Sequence, residues 1–316
     1  MMAEQTTPDR EDERGVQIYI SADMEGITGL VDAADVQPGG TDYERGRVMM
    51  TEDVNAAVRG ALTAGATRVL VNDAHGPMRN ILPDQLHPAA HLVRGRPKTM
   101  GMLEGLDGSF DATICVGYHA RAGALGVLSH SFMGHEIEDM WLDSYPVGEI
   151  GLVHATTAAL GAPVVLLTGD DAACAEVSDW DPAVETVPVK RARARFAAQL
   201  LPVGEARHAI ETSVAAALQV VSGETVASAS PRLGDPGPAA PAPASPRPAG
   251  QSLGERPTLA VRWQSASVAA MLLGIPGVTL RDSRTVQVTG TMPELFRLLG
   301  VFLHVAIPSP YYGPYC

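Results

Sequence analysis

Carboxylates and histidines stand just beyond three apolar runs of this chain. Asp23 and Glu25 lie in S-A-D-M-E-G (21–26), His75 in N-D-A-H-G (72–76), and His119 in G-Y-H-A-R after A-T-I-C-V-G (112–117). Carboxylate plus imidazole is a donor set suited to zinc and other borderline divalent ions. Asp23 and Glu25, two residues apart in a loop closed by Gly26, can both reach one cation or a pair; an acidic turn after a strand has the same composition. His75 equally suits a plain loop position before Gly76. His130, in L-S-H-S, is placed either for catalysis or for a hydrogen bond from Ser129 or Ser131. Glu149, in Y-P-V-G-E-I-G, falls in the first turn of a helix expected to start near Pro146, where a carboxylate also favours the helix dipole. Asp170 and Asp171 follow a fourth apolar run and serve either the same crevice or a helix N-cap. Glu104 is similarly ambiguous, and His87, His91, His135, His154, His208 and His304 read as surface or core histidines. Neither a G-x-S-x-G elbow nor a phosphate-binding glycine loop occurs, so a metal-activated water is the expected nucleophile.

Elements that could bring these groups together are visible in the pattern. Val- and Ile-rich runs at 17–21, 68–72, 112–117 and 163–169 alternate with helical spacing, such as Val54, Val58 and Leu62 before Gly65, and with helices expected at 147–160 and 204–221. This predicts an α/β fold with a largely parallel sheet flanked by helices, and a second smaller α/β domain. In such sheets the loops beyond the carboxyl ends of the strands line a crevice, so residues distant in sequence converge there.

Residues 1–15 are polar and charged and are expected to form a disordered tail rather than a signal peptide. Residues 16–226 form the expected metal-binding region, divisible into two subdomains. Residues 227–256, rich in Pro, Ala, Ser and Gly, are expected to be a disordered insert without a catalytic role. Residues 257–316 resume the globular pattern, with strands at 258–263 and 284–290 and helices at 267–273 and from Pro293. The late apolar stretch 295–307 contains Arg297 and His304 and falls short of the roughly 20 residues that span a bilayer.

The chain has 316 residues and 46% apolar composition, enough to bury a sizeable core without staples. A net charge of −13 argues against nucleic acid and anionic membranes as partners and leaves small molecules. Cys115, Cys174 and Cys316 are odd in number and lack C-x-x-C spacing, which excludes a thiolate zinc site and fits a cytoplasmic protein.

The S-x-D-x-E-G start, Y-E-R-G-R (43–47), N-D-A-H-G, L-H-P (86–88), M-L-E-G-L-D (102–107), G-Y-H-A-R, L-S-H-S, P-V-G-E-x-G and T-G-D-D occur in an order that resembles the bacterial zinc-dependent D-aminopeptidases of dipeptide metabolism. The resemblance is dense over residues 16–221 and thin beyond, and the Pro/Ala-rich insert departs from it. It implies that Asp23 bridges two Zn2+ ions per protomer, that Glu25, His75, His119 and Glu149 complete their ligand sets, and that His130 is the nearby catalytic histidine. It further implies a two-domain protomer, a ring-like homo-oligomer, in particular a decamer, and a short peptide or amide substrate with a D-amino terminus. Two other readings share the acidic loop: a dinuclear metal phosphoesterase or aspartyl-phosphate phosphatase, and a non-enzymatic protein with a structural metal. Against the first, the residue two after Asp23 is Glu rather than Asp, and no basic phosphate cradle accompanies it. Closed coordination without an open position would favour the second.

Overall fold

The computed structural model describes residues 15–221 and 253–307. The N-terminal tail and nearly all of the Pro/Ala-rich insert lie outside these residues. The first half of the chain contributes β1 (Gln17–Ala22), α1 (Ala33–Val36), α2 (Tyr43–Thr63), β2 (Arg68–Asp73), β3 (Ala90–Val93), β4 (Ala112–Tyr118), β5 (Ile137–Leu142), β6 (Tyr145–Pro146) and α3 (Glu149–Ala159). There follow β7 (Val164–Asp170), α4 (Asp171–Trp180), β8 (Glu185–Ala194), β9 (Ala197–Leu200) and α5 (Val203–Val221). Beyond the insert come β10 (Thr258–Trp263), α6 (Ala266–Leu272), β11 (Thr279–Leu280), β12 (Thr285–Thr289) and α7 (Met292–Ala306).

One sheet has the strand order β3-β2-β1-β4-β7-β8-β9, parallel throughout except for β9. Its central strands are apolar at successive positions because both faces are covered. Ile18 and Ile20 of β1 face the core shared with α2 and α5, while Tyr19 faces the opposite core with α3, α7 and the second sheet. The second sheet is antiparallel, in the order β11-β12-β10-β5-β6. The expected α/β class therefore holds, with the smaller sheet antiparallel. After β4 the chain crosses to this second sheet, forms β5 and β6, and returns through α3 to β7. Pro146 belongs to β6, so the helix starts at Glu149 rather than near Pro146. Sequence periodicity does not reveal β8, where Pro188, Lys190 and several arginines interrupt the apolar alternation, or β5, which carries Glu138 and Asp139.

β1 pairs with β2 on one side and β4 on the other, so the order reverses at β1 and a crevice opens at the strand ends. The loop after β1 lies directly on β4: Asp23 N donates to Val116 O at 2.8 Å and Gly26 N to Gly117 O at 2.8 Å. A Cβ at Gly26 would collide with the Tyr118 carbonyl, and one at Gly117 (φ +73°) with the Asp23 carbonyl. Both positions therefore require glycine. From below, the fully buried Lys190 donates through Nζ to the carbonyls of Glu25 (2.6 Å), Ile27 (2.9 Å) and Leu30 (2.6 Å). Burial pushes its ammonium down to about 8, against the pull of Asp170, Asp53 and Glu25.

Lys190→Met keeps the volume but leaves three buried carbonyls without a donor. We expect it to destabilise the protein by about 2–4 kcal/mol in denaturant titration, compared with the wild type.

Candidate metal centre

The crevice holds the carboxylates and imidazoles expected from the sequence. Asp23 and Glu25 come from the loop after β1, His75 from the loop after β2, His119 from the residue following β4, and Glu149 from the first position of α3. All five are buried. His75 Nδ1 lies 3.2 Å from Asp23 Oδ1 and 2.9 Å from Glu25 Oε2, and His119 Nε2 lies 3.5 Å from Asp23 Oδ2 and 3.4 Å from Glu149 Oε1. The donors thus fall into two groups that share Asp23: Asp23, Glu25 and His75, and Asp23, His119 and Glu149, with the ligand atoms of each group within 4.8 Å of one another. Glu25, His119 and His130 form a third such group.

Backbone carbonyls set the tautomer of each imidazole. A carbonyl can only accept, so His75 Nε2 donates to Val36 O (2.9 Å), His119 Nδ1 to Ala120 O (3.0 Å) and His130 Nδ1 to Leu128 O (2.8 Å). The other nitrogen of each ring is left facing the carboxylates, as a metal ligand or a proton acceptor requires. The His75 loop is held by Asp73, whose carboxylate accepts from Asn80 N (2.6 Å), Asn80 Nδ2 (2.8 Å) and Ile81 N (2.8 Å); Asn80 Nδ2 also donates to His75 O at 2.7 Å. Lys98 Nζ donates to Asp73 O (2.6 Å) and Asn72 Oδ1 (2.7 Å). Glu149 Oε1 accepts from Phe132 N at 2.5 Å.

The electrostatics fit a cation among these groups. Asp23 Oδ2, Glu25 Oε2 and His119 Nε2 are buried without a hydrogen-bond partner among the described residues. Burial, then the neighbouring Glu25, pushes the Asp23 carboxyl up to about 7. Burial opposes the charge on Glu25, yet His75, His119 and His130 hold its carboxyl well below the usual range. Burial likewise works against protonation of His75 and His119, but the facing carboxylates hold both imidazoles well above their ordinary value. Without a metal, protons supply the positive charge that three clustered carboxylates demand. This donor set fits zinc: oxygen and nitrogen ligands, buried, with lone pairs unused.

His130 differs from the other two imidazoles. Its ring stacks on His119 with centroids 4.2 Å apart and planes 9° apart, and its Nε2 lies 3.9 Å from Glu25 Oε1. Burial and the His119 charge push it below the ordinary imidazole value. Its hydrogen-bond partner is the Leu128 carbonyl rather than a flanking serine: Ser129 donates to Ala124 O and Ser131 accepts from Ala122 N. It also borders a cavity of about 410 Å3, whose wall includes Ala122, Ser129, Glu136, Arg195 and Gln264.

Other sequence candidates have structural partners. Asp170 caps α4, accepting from Ala173 N at 2.8 Å and also from Val127 N at 2.6 Å. Glu104 accepts from Met100 N at 2.7 Å. His154 lies 3.3 Å from Asp181. The supporting residues Lys190 and Lys98 carry no distinguishing local motif, since each acts on a loop far from its own position in sequence, whereas Asn80 acts within its own loop, on Asp73 and His75.

The ordered motifs match known proteins. A family model for Peptidase M55, D-aminopeptidase, matches residues 16–233. The D-aminopeptidase of Bacillus subtilis (strain 168) is 40% identical over 204 residues, which cover 65% of this chain and 74% of that protein. The solved structure of the Zn-dependent D-aminopeptidase DppA from Bacillus subtilis, a self-compartmentalizing protease, is similar with a TM-score of 0.81 and 32% identity, covering 95% of this chain and 100% of that one. The family match spans more than half of the chain and every loop that supplies the buried cluster, and the chain belongs to the M55 family of D-aminopeptidases.

Proposed function

We propose that this D-aminopeptidase hydrolyses short peptides or amides with a D-amino terminus, using two Zn2+ ions held by Asp23, Glu25, His75, His119 and Glu149, with Asp23 shared between them. The carrying observation is the pair of buried donor groups that meet at Asp23. Zinc, when bound, supplies Lewis acidity that polarises an amide carbonyl and makes water nucleophilic near neutral pH.

The chain's own residues supply the rest. His130, with Nδ1 committed to Leu128 O, turns Nε2 into the site, where it accepts a proton and returns it to the departing amine. Its lowered proton affinity keeps the ring neutral and ready to accept near pH 7. Although Glu25, His119 and His130 also cluster closely enough for a ligand role, the position of His130 on the cavity wall supports proton transfer. Similarity to a self-compartmentalizing protease supports a ring-like homo-oligomer, and we extend this to a decamer. Among the described residues no helix is long and apolar enough to cross a membrane, in keeping with a cytoplasmic enzyme.

On a set of matched substrates, D-aminoacyl amides and dipeptides should be cleaved faster than their L counterparts; a strict L preference in the same chromatographic assay would remove the substrate assignment. His130→Ala should keep near-normal zinc by metal analysis while kcat falls by about 10²–10⁴-fold, whereas His119→Ala should lose metal and activity together. Equal metal loss in both variants would make His130 a ligand. The raised imidazoles of His75 and His119 and the Asp23 carboxyl near 7 must give up protons to a cation, so zinc affinity should rise with pH through neutrality. Calorimetry of the metal-free protein in buffers of different ionisation enthalpy should show net proton release at pH 7, and zinc uptake without it would contradict the ligand set.

A further inference from the structure

The cavity beside His130 is walled from both sheets. The loop after β4 contributes Ala122 and Ser129, the segment leading into and along β5 contributes Glu136 and Glu138, and the turn between β8 and β9 contributes Arg195. At about 410 Å3 it lies within the range of about 300–1,000 Å3 common for small-molecule sites. His130 belongs both to this wall and to the buried cluster, so the cavity adjoins the proposed catalytic site.

The charges on the wall are not equivalent. Glu138 is already neutralised by Arg284 at 2.6 Å and Arg262 at 3.1 Å. Arg195, an exposed residue, has neither ion pair nor side-chain hydrogen bond among the described residues. Its backbone is nonetheless anchored, since Leu128 N donates to Arg195 O at 2.7 Å, and its guanidinium Cζ lies 5.5 Å from the centre of the Phe196 ring. A guanidinium held over an aromatic ring with its N–H donors unused is suited to a bidentate carboxylate.

We propose that Arg195 anchors the free C-terminal carboxylate of a short peptide whose amino end lies at the Asp23 cluster. The inference rests on the aminopeptidase reading and deepens it, because it names the group that recognises the carboxyl end of the substrate. With the scissile carbonyl at the cluster, each further residue extends the chain by at most about 3.6 Å. A short peptide bound at the cluster therefore carries its carboxylate towards the cavity wall that Arg195 shares with His130. Glu136 borders the same space and opposes the carboxylate, so removing its charge should have the reverse effect to removing that of Arg195.

The test compares D-alanylglycine with D-alanylglycinamide, which differ only in the terminal carboxylate, on the zinc-loaded full chain. For Arg195→Ala the ratio of kcat/KM for the acid over the amide should fall by about 10- to 100-fold, through KM rather than kcat. Arg195→Lys should recover part of that ratio, and Glu136→Gln should raise it above wild type. Added salt should raise KM for the acid in the wild type and much less in Arg195→Ala. An unchanged ratio in Arg195→Ala, or an equal loss on both substrates, overturns the anchor while leaving the aminopeptidase reading intact. A wild-type enzyme that cleaves neither substrate overturns that reading, and the anchor with it.

Discussion

Two carboxylates and two imidazoles packed around the Asp23 carboxylate, out of water, form the constraint on which the rest of the structure depends. Like charges cannot share a buried space without compensation. Protons on the imidazoles and on Asp23 offer one compensation, and a pair of divalent ions offers the other, with Asp23 Oδ2, Glu25 Oε2 and His119 Nε2 left without hydrogen bonds. The same constraint explains the three backbone carbonyls behind the histidines. Each ties up the outer ring nitrogen and presents the inner one, so that the imidazoles face the carboxylates with a fixed orientation.

A site of this kind needs rigid loops, and the fold supplies them by unusual means. In the loop after β1 the Asp23 and Glu25 side chains are committed to the cluster, while Met24, Ile27 and Leu30 pack into the core. It is further held by main-chain contacts: to β4 on one side, through Gly26 and Gly117, and to the ammonium of Lys190 beneath. Lys98 and Asp73 do the same for the loop of His75. In both cases a buried or half-buried charge binds backbone dipoles rather than an opposite charge, which leaves the electrostatics of the cluster to its own members.

The second sheet has a different part. Its strands lie beyond the cluster, yet the chain reaches them from β4 and returns through α3, so the excursion delivers His130 and Glu149 and adds a wall to the cavity. The proposed metal ligands are thereby gathered at the carboxyl edge of the parallel sheet. The wall of the adjoining cavity is shared with the antiparallel one. The two sets of residues meet only at His130.

Much was legible in the sequence, and for one reason: residue type and periodicity are local. The apolar runs of β1, β2, β4 and β7 marked buried parallel strands, the polar residues just beyond them marked the crevice, and the order of motifs from Asp23 to Asp171 resembled a family to which the chain belongs. The capping role of Asp170 needed only the geometry of a helix N-terminus, whereas α3 starts at Glu149 rather than near Pro146 because Tyr145 and Pro146 pair with β5. Strands with mixed composition, β5 and β8, were not legible, because their burial comes from partners elsewhere: β5 pairs with β10, which is more than a hundred residues away. Nor could composition reveal that Lys190 serves Glu25, or that Val36, Ala120 and Leu128 orient the histidines. Those interactions use backbone carbonyls, which every residue possesses, and only the tertiary structure decides which carbonyl meets which side chain.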